Sequence, residues 1–214
     1  VGYNIMSVAA VNDRGTTNRN DETIASYSSR GPTSSGRIKP DLAAPGTAIM
    51  STAHDWEDSA DFISFSGTSM AAPHLSGAIT LLMDYKSFNW DPKAVKALLL
   101  NTADNAGSFS NQNDFGRGYI DLDHAYVHKD DVFESFVPEG GAIFYRGNAF
   151  SGDKATLVWN RHVTYDGANF PSNYSDLNDL DLYLFDETNN EEISTSLTSV
   201  DNVEQVEAPS EYES

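Results

Sequence analysis

Residues 62–84 constrain the fold of this chain more than any other stretch. They read Phe62-Ile63-Ser64-Phe65-Ser66-Gly67-Thr68-Ser69-Met70-Ala71-Ala72-Pro73-His74-Leu75-Ser76-Gly77-Ala78-Ile79-Thr80-Leu81-Leu82-Met83-Asp84. A short apolar run stops at a Gly-Thr-Ser turn, and a helical pattern begins at once. Thr68 reads as the N-cap. Pro73 falls within the first turn or so, where its missing N–H costs least. Ala71, Leu75, Ala78, Ile79 and Leu82 then share one helical face. A serine at such a turn has its hydroxyl near the positive end of a helix dipole. Gly67, Ala71 and Ala72 are small and leave room for a substrate backbone beside it. That arrangement suits a nucleophile, and Ser69 is the candidate. The plainer alternative is a Ser/Thr cap on a buried helix.

The string Gly67-Thr68-Ser69-Met70-Ala71-Ala72-Pro73-His74 resembles the nucleophile motif of the subtilases, the subtilisin-like serine proteases. Tyr27-Ser28-Ser29-Arg30-Gly31-Pro32 and Lys39-Pro40-Asp41-Leu42-Ala43-Ala44-Pro45-Gly46 are similar to segments that precede the nucleophile in that family. Gly116-Arg117-Gly118 is similar to the element that closes its catalytic domain. The resemblance covers about residues 4–128. It implies a parallel sheet with helices, a polypeptide substrate, an acyl-enzyme on Ser69 and an extracellular protein.

Charge divides the chain. The net charge is −19. Residues 1–120 hold 12 acids against 9 Lys/Arg, and residues 121–214 hold 20 against 4. Nucleic acid and anionic membrane are poor partners for such a surface. No apolar stretch is long enough to span a membrane. The absence of Cys excludes a disulfide framework, a thiol nucleophile and a zinc-thiolate site. Val1-Gly2-Tyr3 carries no initiator Met and no signal-peptide pattern, and does not read as a natural start.

Elements before and after the central stretch follow from local signals. Asn4 to Val11 reads as a buried parallel strand, Ile24 to Pro32 as a short strand ending in a turn, and Ile49 to Thr52 as a short strand. The Pro45-Gly46 step marks a turn, and residues 54–61 an acidic loop. Asp91 and Pro92 predict an N-cap and first position for a helix over 92–102. A shorter helix is expected near 121–127.

From about residue 130 the texture changes. Val132–Val137, Ala142–Tyr145, Lys154–Asn160, Leu180–Phe185 and Val200–Val206 are β-branched or aromatic and separated by Gly/Asn/Asp/Ser loops. They read as antiparallel strands of a β-sandwich without a clear closing strand. The expected fold is therefore α/β over 1–129, a partial subtilisin-like parallel sheet, followed by an all-β antiparallel sandwich over 130–214. Within the second part Asp176, Asp179, Asp181 and Asp186 are acidic neighbours. Asp179 and Asp181 would share a strand face, which makes them candidates for a structural calcium ion. The competing reading is an acidic edge that resists strand pairing. The chemistry itself needs no cofactor.

The base and acid are harder to place. In the family they precede the serine, the base by roughly 150 residues, and only 68 residues precede Ser69. His54 is the one histidine among them and reads as a surface residue. His74 is five residues after Ser69, roughly 7.5 Å along the axis and about 140° around it, so it reads as structural. His124, His128 and His162 follow the nucleophile, the wrong order for this family. Asn4 reads as a strand-edge residue rather than an oxyanion donor. The sequence thus reads as part of a serine endopeptidase that carries the nucleophile, with base, acid and an N-terminal part of the catalytic domain outside it. Two alternatives stand. One is an inactive chain whose acidic β part is a binding module. The other is an α/β-hydrolase esterase, against which Ala71 stands where that motif wants Gly.

Overall fold

The computed structural model describes residues 2–16, 18–54, 61–85, 89–105, 107–165, 171–174 and 177–210. Along the chain the elements are β1 (Val8–Asn12), β2 (Thr23–Ile24), β3 (Leu42–Pro45), β4 (Ile49–Thr52), β5 (Phe62–Phe65), α1 (Thr68–Tyr85), α2 (Pro92–Asn101), α3 (Gln112–Phe115), α4 (Leu122–Val127), β6 (Lys154–Val158), β7 (Val163–Tyr165), β8 (Pro171–Tyr174), β9 (Leu182–Asp186), β10 (Glu191–Ser196) and β11 (Val203–Glu207).

Strand β1 pairs in parallel with β3, Val8 opposite Leu42 through Val11 opposite Pro45. Strand β2 adds antiparallel at the end of β1. Side chains alternate across these strands, and both faces are covered, as a parallel pair requires. Ala9, Val11 and Ala43 pack with Phe109, Phe115 and Tyr119 on one face. Ala10 and Ala44 pack with Ala25 and Ala71 on the other. Four alanines at that contact let helix α1 lie close to the strands.

Helix α1 buries Ala71, Leu75, Ala78 and Leu82, the stripe read from the sequence. Its start differs from the expectation. Thr68 is the first helical residue, and the Gly67 carbonyl accepts from Met70 N and Ala71 N at 2.9 and 3.3 Å. The cap position therefore belongs to Gly67, and Pro73 lies in the second turn. Pro73 has no N–H, so it gives the Ser69 carbonyl no i+4 bond. Helix α2 forms as expected. Asp91 accepts from Lys93 N at 2.8 Å, Pro92 takes the first position, and Val95, Leu98 and Leu99 are buried. Asp121 caps α4 by accepting from His124 N at 2.9 Å.

The apolar run before the turn becomes β5, which stands outside the parallel pair. It forms an antiparallel hairpin with β4, and all four of its residues are exposed. The expected strand over 24–32 shrinks to β2. Most of the expected acidic loop, residues 55–60, lies outside the described residues.

The C-terminal part forms antiparallel pairs β6–β11, β9–β10 and β7–β8. Among the described residues they do not build two closed facing sheets. Val132–Val137 and Ala142–Tyr145, expected as strands, form none. Phe133, Phe136, Ile143, Phe144 and Tyr145 are exposed, and β-propensity is realised only against a packed surface. The expected strand over 180–185 begins two residues later, so Asp179 and Asp181 both precede β9.

A boundary near residue 130 does not divide the hydrophobic core. Val203 of β11 is buried with Leu42, Leu75, Leu82, Val95 and Leu98–Leu100, and Val132 and Val158 pack against the same cluster. Polar contacts cross as well. Gln205 Nε2 donates to the Leu100 carbonyl at 3.1 Å, and Lys154 Nζ to that of Ala103 at 3.0 Å.

Candidate active site

Ser69 stands in the first turn of α1, exposed to solvent. Among the described residues, no group hydrogen-bonds its hydroxyl. Two backbone contacts place it. Gly67 N–H donates to the Gly46 carbonyl at 2.8 Å, and Gly46 N–H donates to the Val11 carbonyl at 2.9 Å. The turn before the serine is thus tied, through Gly46, to the end of the parallel pair. A Cβ on Gly46 would stand 2.5 Å from Ala10 Cβ and 3.0 Å from Gly67 O, so only glycine fits without a shift. Tyr27 supports the same point. Its hydroxyl donates to Gly46 O at 2.9 Å and lies 2.6 Å from Thr47 Oγ1. Ser28 Oγ accepts from Ala10 N at 3.1 Å. The sequence singled out Gly46 only as a turn. Its role is to let two backbones meet.

A buried ionic cluster anchors the entry to β3. Lys39 Nζ is 2.6 Å from both Asp41 carboxylate oxygens, and Lys96 Nζ is 3.0 Å from Oδ1. Ser7 donates to Asp41 Oδ2 from its N–H at 2.7 Å and its hydroxyl at 2.9 Å. Burial by itself raises the Asp41 pKa. The Lys96 and Lys39 ammonium groups outweigh it, and the carboxyl titrates below its ordinary value. Burial pushes the Lys39 ammonium down, against the pull of Asp41. Deeper in, burial lowers the Arg117 guanidinium, with Asp201 and Glu204 opposing that shift. In the sequence Lys39, Asp41 and Arg117 stand out only as parts of family-like segments, and Lys96 not at all.

An open cleft of about 390 Å³ runs from Thr68 to Ser7 and is lined by Arg30, Arg37 and Lys39. Each cation is engaged. Arg30 pairs with Asp114 at 3.2 Å, Arg37 sits 3.8 Å over the Tyr3 ring, and Lys39 holds Asp41.

Three of the five histidines have their Nδ1 engaged away from Ser69. His74 Nδ1 donates to the Met70 carbonyl at 2.9 Å, inside its own helix. His124 Nδ1 lies 3.2 Å from Thr102 O, and His128 Nδ1 2.8 Å from Asp131 Oδ2. His54 and His162 are exposed. Asn4 precedes β1 rather than opening it. It is held by Arg161, donating to its carbonyl at 2.8 Å and accepting from its N–H at 2.9 Å.

Among the described residues, the acidic side chains of the second part form no metal-binding group. Asp179 and Asp181 are exposed, and the shared strand face expected for them is missing because both lie before β9. Asp186 caps the β9–β10 turn, accepting from Thr188 N at 2.7 Å and from Asn189 N at 3.2 Å. Asp176 lies outside the described residues. No group of three or more His, Asp or Glu able to hold a metal occurs among the described residues.

The family profile of the peptidases described as the subtilase family matches residues 2–118. The chain belongs to the subtilase family. Among curated relatives, serine protease AprX of Bacillus subtilis is 33% identical over 135 residues, which cover 58% of this chain and 30% of that protein. The minor extracellular protease Vpr of the same organism is 42% identical over 85 residues, 38% of this chain and 10% of its own length. Pyrolysin of Pyrococcus furiosus is 44% identical over 79 residues, covering 36% and 6%. The chain therefore spans less than a third of these relatives. Among solved structures, the CspB protease of Clostridium perfringens has a TM-score of 0.49 at 30% identity, over 59% of this chain and 27% of its own. Fervidolysin of Fervidobacterium pennivorans, titled a keratinolytic enzyme related to subtilisin, has a TM-score of 0.46 at 20% identity over 95% and 27%.

Proposed function

We propose that this subtilase chain carries the nucleophile of a serine endopeptidase and that the general base and acid lie outside these 214 residues. One observation carries the reading: Ser69 is exposed at the start of a long helix, its hydroxyl unengaged among the described residues, beside a turn pinned through Gly46. Ser69 Oγ would attack a peptide carbonyl, an acyl-enzyme would form, and water would release it. The first N–H groups of a helix have no intrahelical partner. In α1 the Met70 N–H already turns back to the Gly67 carbonyl, so the Ser69 N–H is the one that would face the developing oxyanion.

The substrate class is polypeptide, by analogy with relatives named as proteases. Secretion is part of the proposal, since one relative is named an extracellular protease. No helix among the described residues is long and apolar enough to cross a membrane.

The test is a fluorophosphonate probe on the full-length protein that contains these residues. Labelling at Ser69, absent from the Ser69→Ala protein, is the expected result. Labelling at another residue overturns the assignment.

A further inference from the structure

Residues 132–148 run between α4 and β6 with no helix or strand. Within them one backbone hydrogen bond is formed, Gly141 N–H to the Pro138 carbonyl at 3.0 Å. Phe136 is 81% and Phe144 90% exposed, and Phe133 and Tyr145 are exposed as well. The Phe133 and Tyr145 rings meet at 5.0 Å, and Arg146 pairs with Glu187 at 2.8 Å on the surface. Exposed surface pairs of this kind hold a segment weakly. Endopeptidases bind substrate as an extended chain with free backbone groups, so cutting concentrates where no secondary structure must first open. Exposed aromatics also occur in β4–β5, at Phe62 and Phe65, but there the backbone is paired.

The two sides of this segment are bound to each other independently of it. Val203 is buried among Leu42, Leu75 and Leu98. Thr156 Oγ1 donates to Asn101 Oδ1 at 2.8 Å, and Ile38 N–H donates to Asp201 Oδ2 at 3.1 Å. Buried Arg117 donates from Nη2 to the Val203 carbonyl at 3.5 Å, next to the fully buried Glu204. Separating the parts would expose that apolar surface and leave buried charged groups without their surroundings, both unfavourable.

We propose that residues 132–148 are a processing site for an endopeptidase of aromatic preference, and that the cut chain remains one non-covalent particle. In the cut, water adds across one peptide bond. The C–N bond breaks, the carbonyl carbon takes the hydroxyl as a carboxylate, and the new amine takes a proton. The site needs no activity of Ser69.

The experiment uses the chain with Ser69→Ala, so that every cut belongs to added protease. Chymotrypsin at low ratio is followed by mass spectrometry, and the product is run on size exclusion with and without urea. The expected first cut follows Phe133, Phe136, Phe144 or Tyr145. The two pieces then co-elute at the uncut volume in buffer and separate in urea. Replacing those four residues by Ser should abolish the first cut and leave the Tm unchanged. A first cut outside 132–148, or pieces that separate in buffer, overturns the proposal.

Discussion

Gly46 and Gly67 meet backbone to backbone, the Gly67 N–H 2.8 Å from the Gly46 carbonyl oxygen. This contact ties the turn that presents Ser69 to the end of β3. It predicts that Gly46→Ala is damaging, because the new methyl falls 2.5 Å from Ala10 Cβ and 3.0 Å from Gly67 O. Overpacking of this kind costs about 1–3 kcal/mol. A urea titration of the chain should show a lower midpoint. Fluorophosphonate labelling of the full-length variant should slow more than the stability loss explains, because the turn itself shifts.

Gly77 gives the opposite expectation. It lies inside α1, and a Cβ there meets nothing within 4 Å. Gly77→Ala should therefore stabilise by about 0.5–1 kcal/mol through helix propensity and a less flexible unfolded chain. A Tm that falls in this variant would show that the outer face of α1 is covered in solution.

Asp41 sets an acid limit. Its carboxylate faces Lys39 and Lys96, both buried, and its folded pKa lies below the ordinary 3.8. A carboxyl with a depressed folded pKa contributes fully above the unfolded value. The contribution is lost as pH falls from 3.8 through the folded value. Asp41→Asn leaves two ammonium groups buried without a counter-charge, a loss of about 3–5 kcal/mol. The stability gap between the variant and the parent chain, measured at pH 7 and again below pH 4, should shrink in acid. A gap that stays constant would show that Asp41 is not ionised in the folded chain.

The sequence made the helices legible because their signals are local. The Ala71–Leu82 stripe and the Asp91-Pro92 start each lie within one element. Strand β3 was hidden. Its stretch contains Pro40 and Pro45 and reads as turn, and it becomes a strand only by pairing with β1, some 34 residues away. Lys39, Asp41 and Lys96 were hidden for a related reason. Charged residues are ordinarily exposed, and nothing nearby in sequence marks these as a buried cluster. The opposite error occurred at Val132–Val137 and Ala142–Tyr145. There the residues favour strands, but only Val132 packs against the core, while Phe133, Phe136, Phe144 and Tyr145 stay exposed. The turn and helix that present Ser69 were legible from their own neighbourhood, while Gly46, which pins that turn, required the contact between two distant backbones.

The 214-residue chain by itself is expected to hydrolyse no peptide. A serine hydroxyl is a weak nucleophile at neutral pH until a base takes its proton. His74 is occupied by the Met70 carbonyl, His124 lies against that of Thr102, and His128 is paired with Asp131. Residual catalysis after loss of a triad member depends on an intact oxyanion hole and binding cleft, and here Asn4 is held by the Arg161 backbone instead. The measurement is hydrolysis of casein or a chromogenic peptide by the purified chain beside its Ser69→Ala variant. The two rates should coincide. Turnover that vanishes in Ser69→Ala would mean that a base lies within the chain, and His54, exposed and upstream of the serine, would be the first residue to replace.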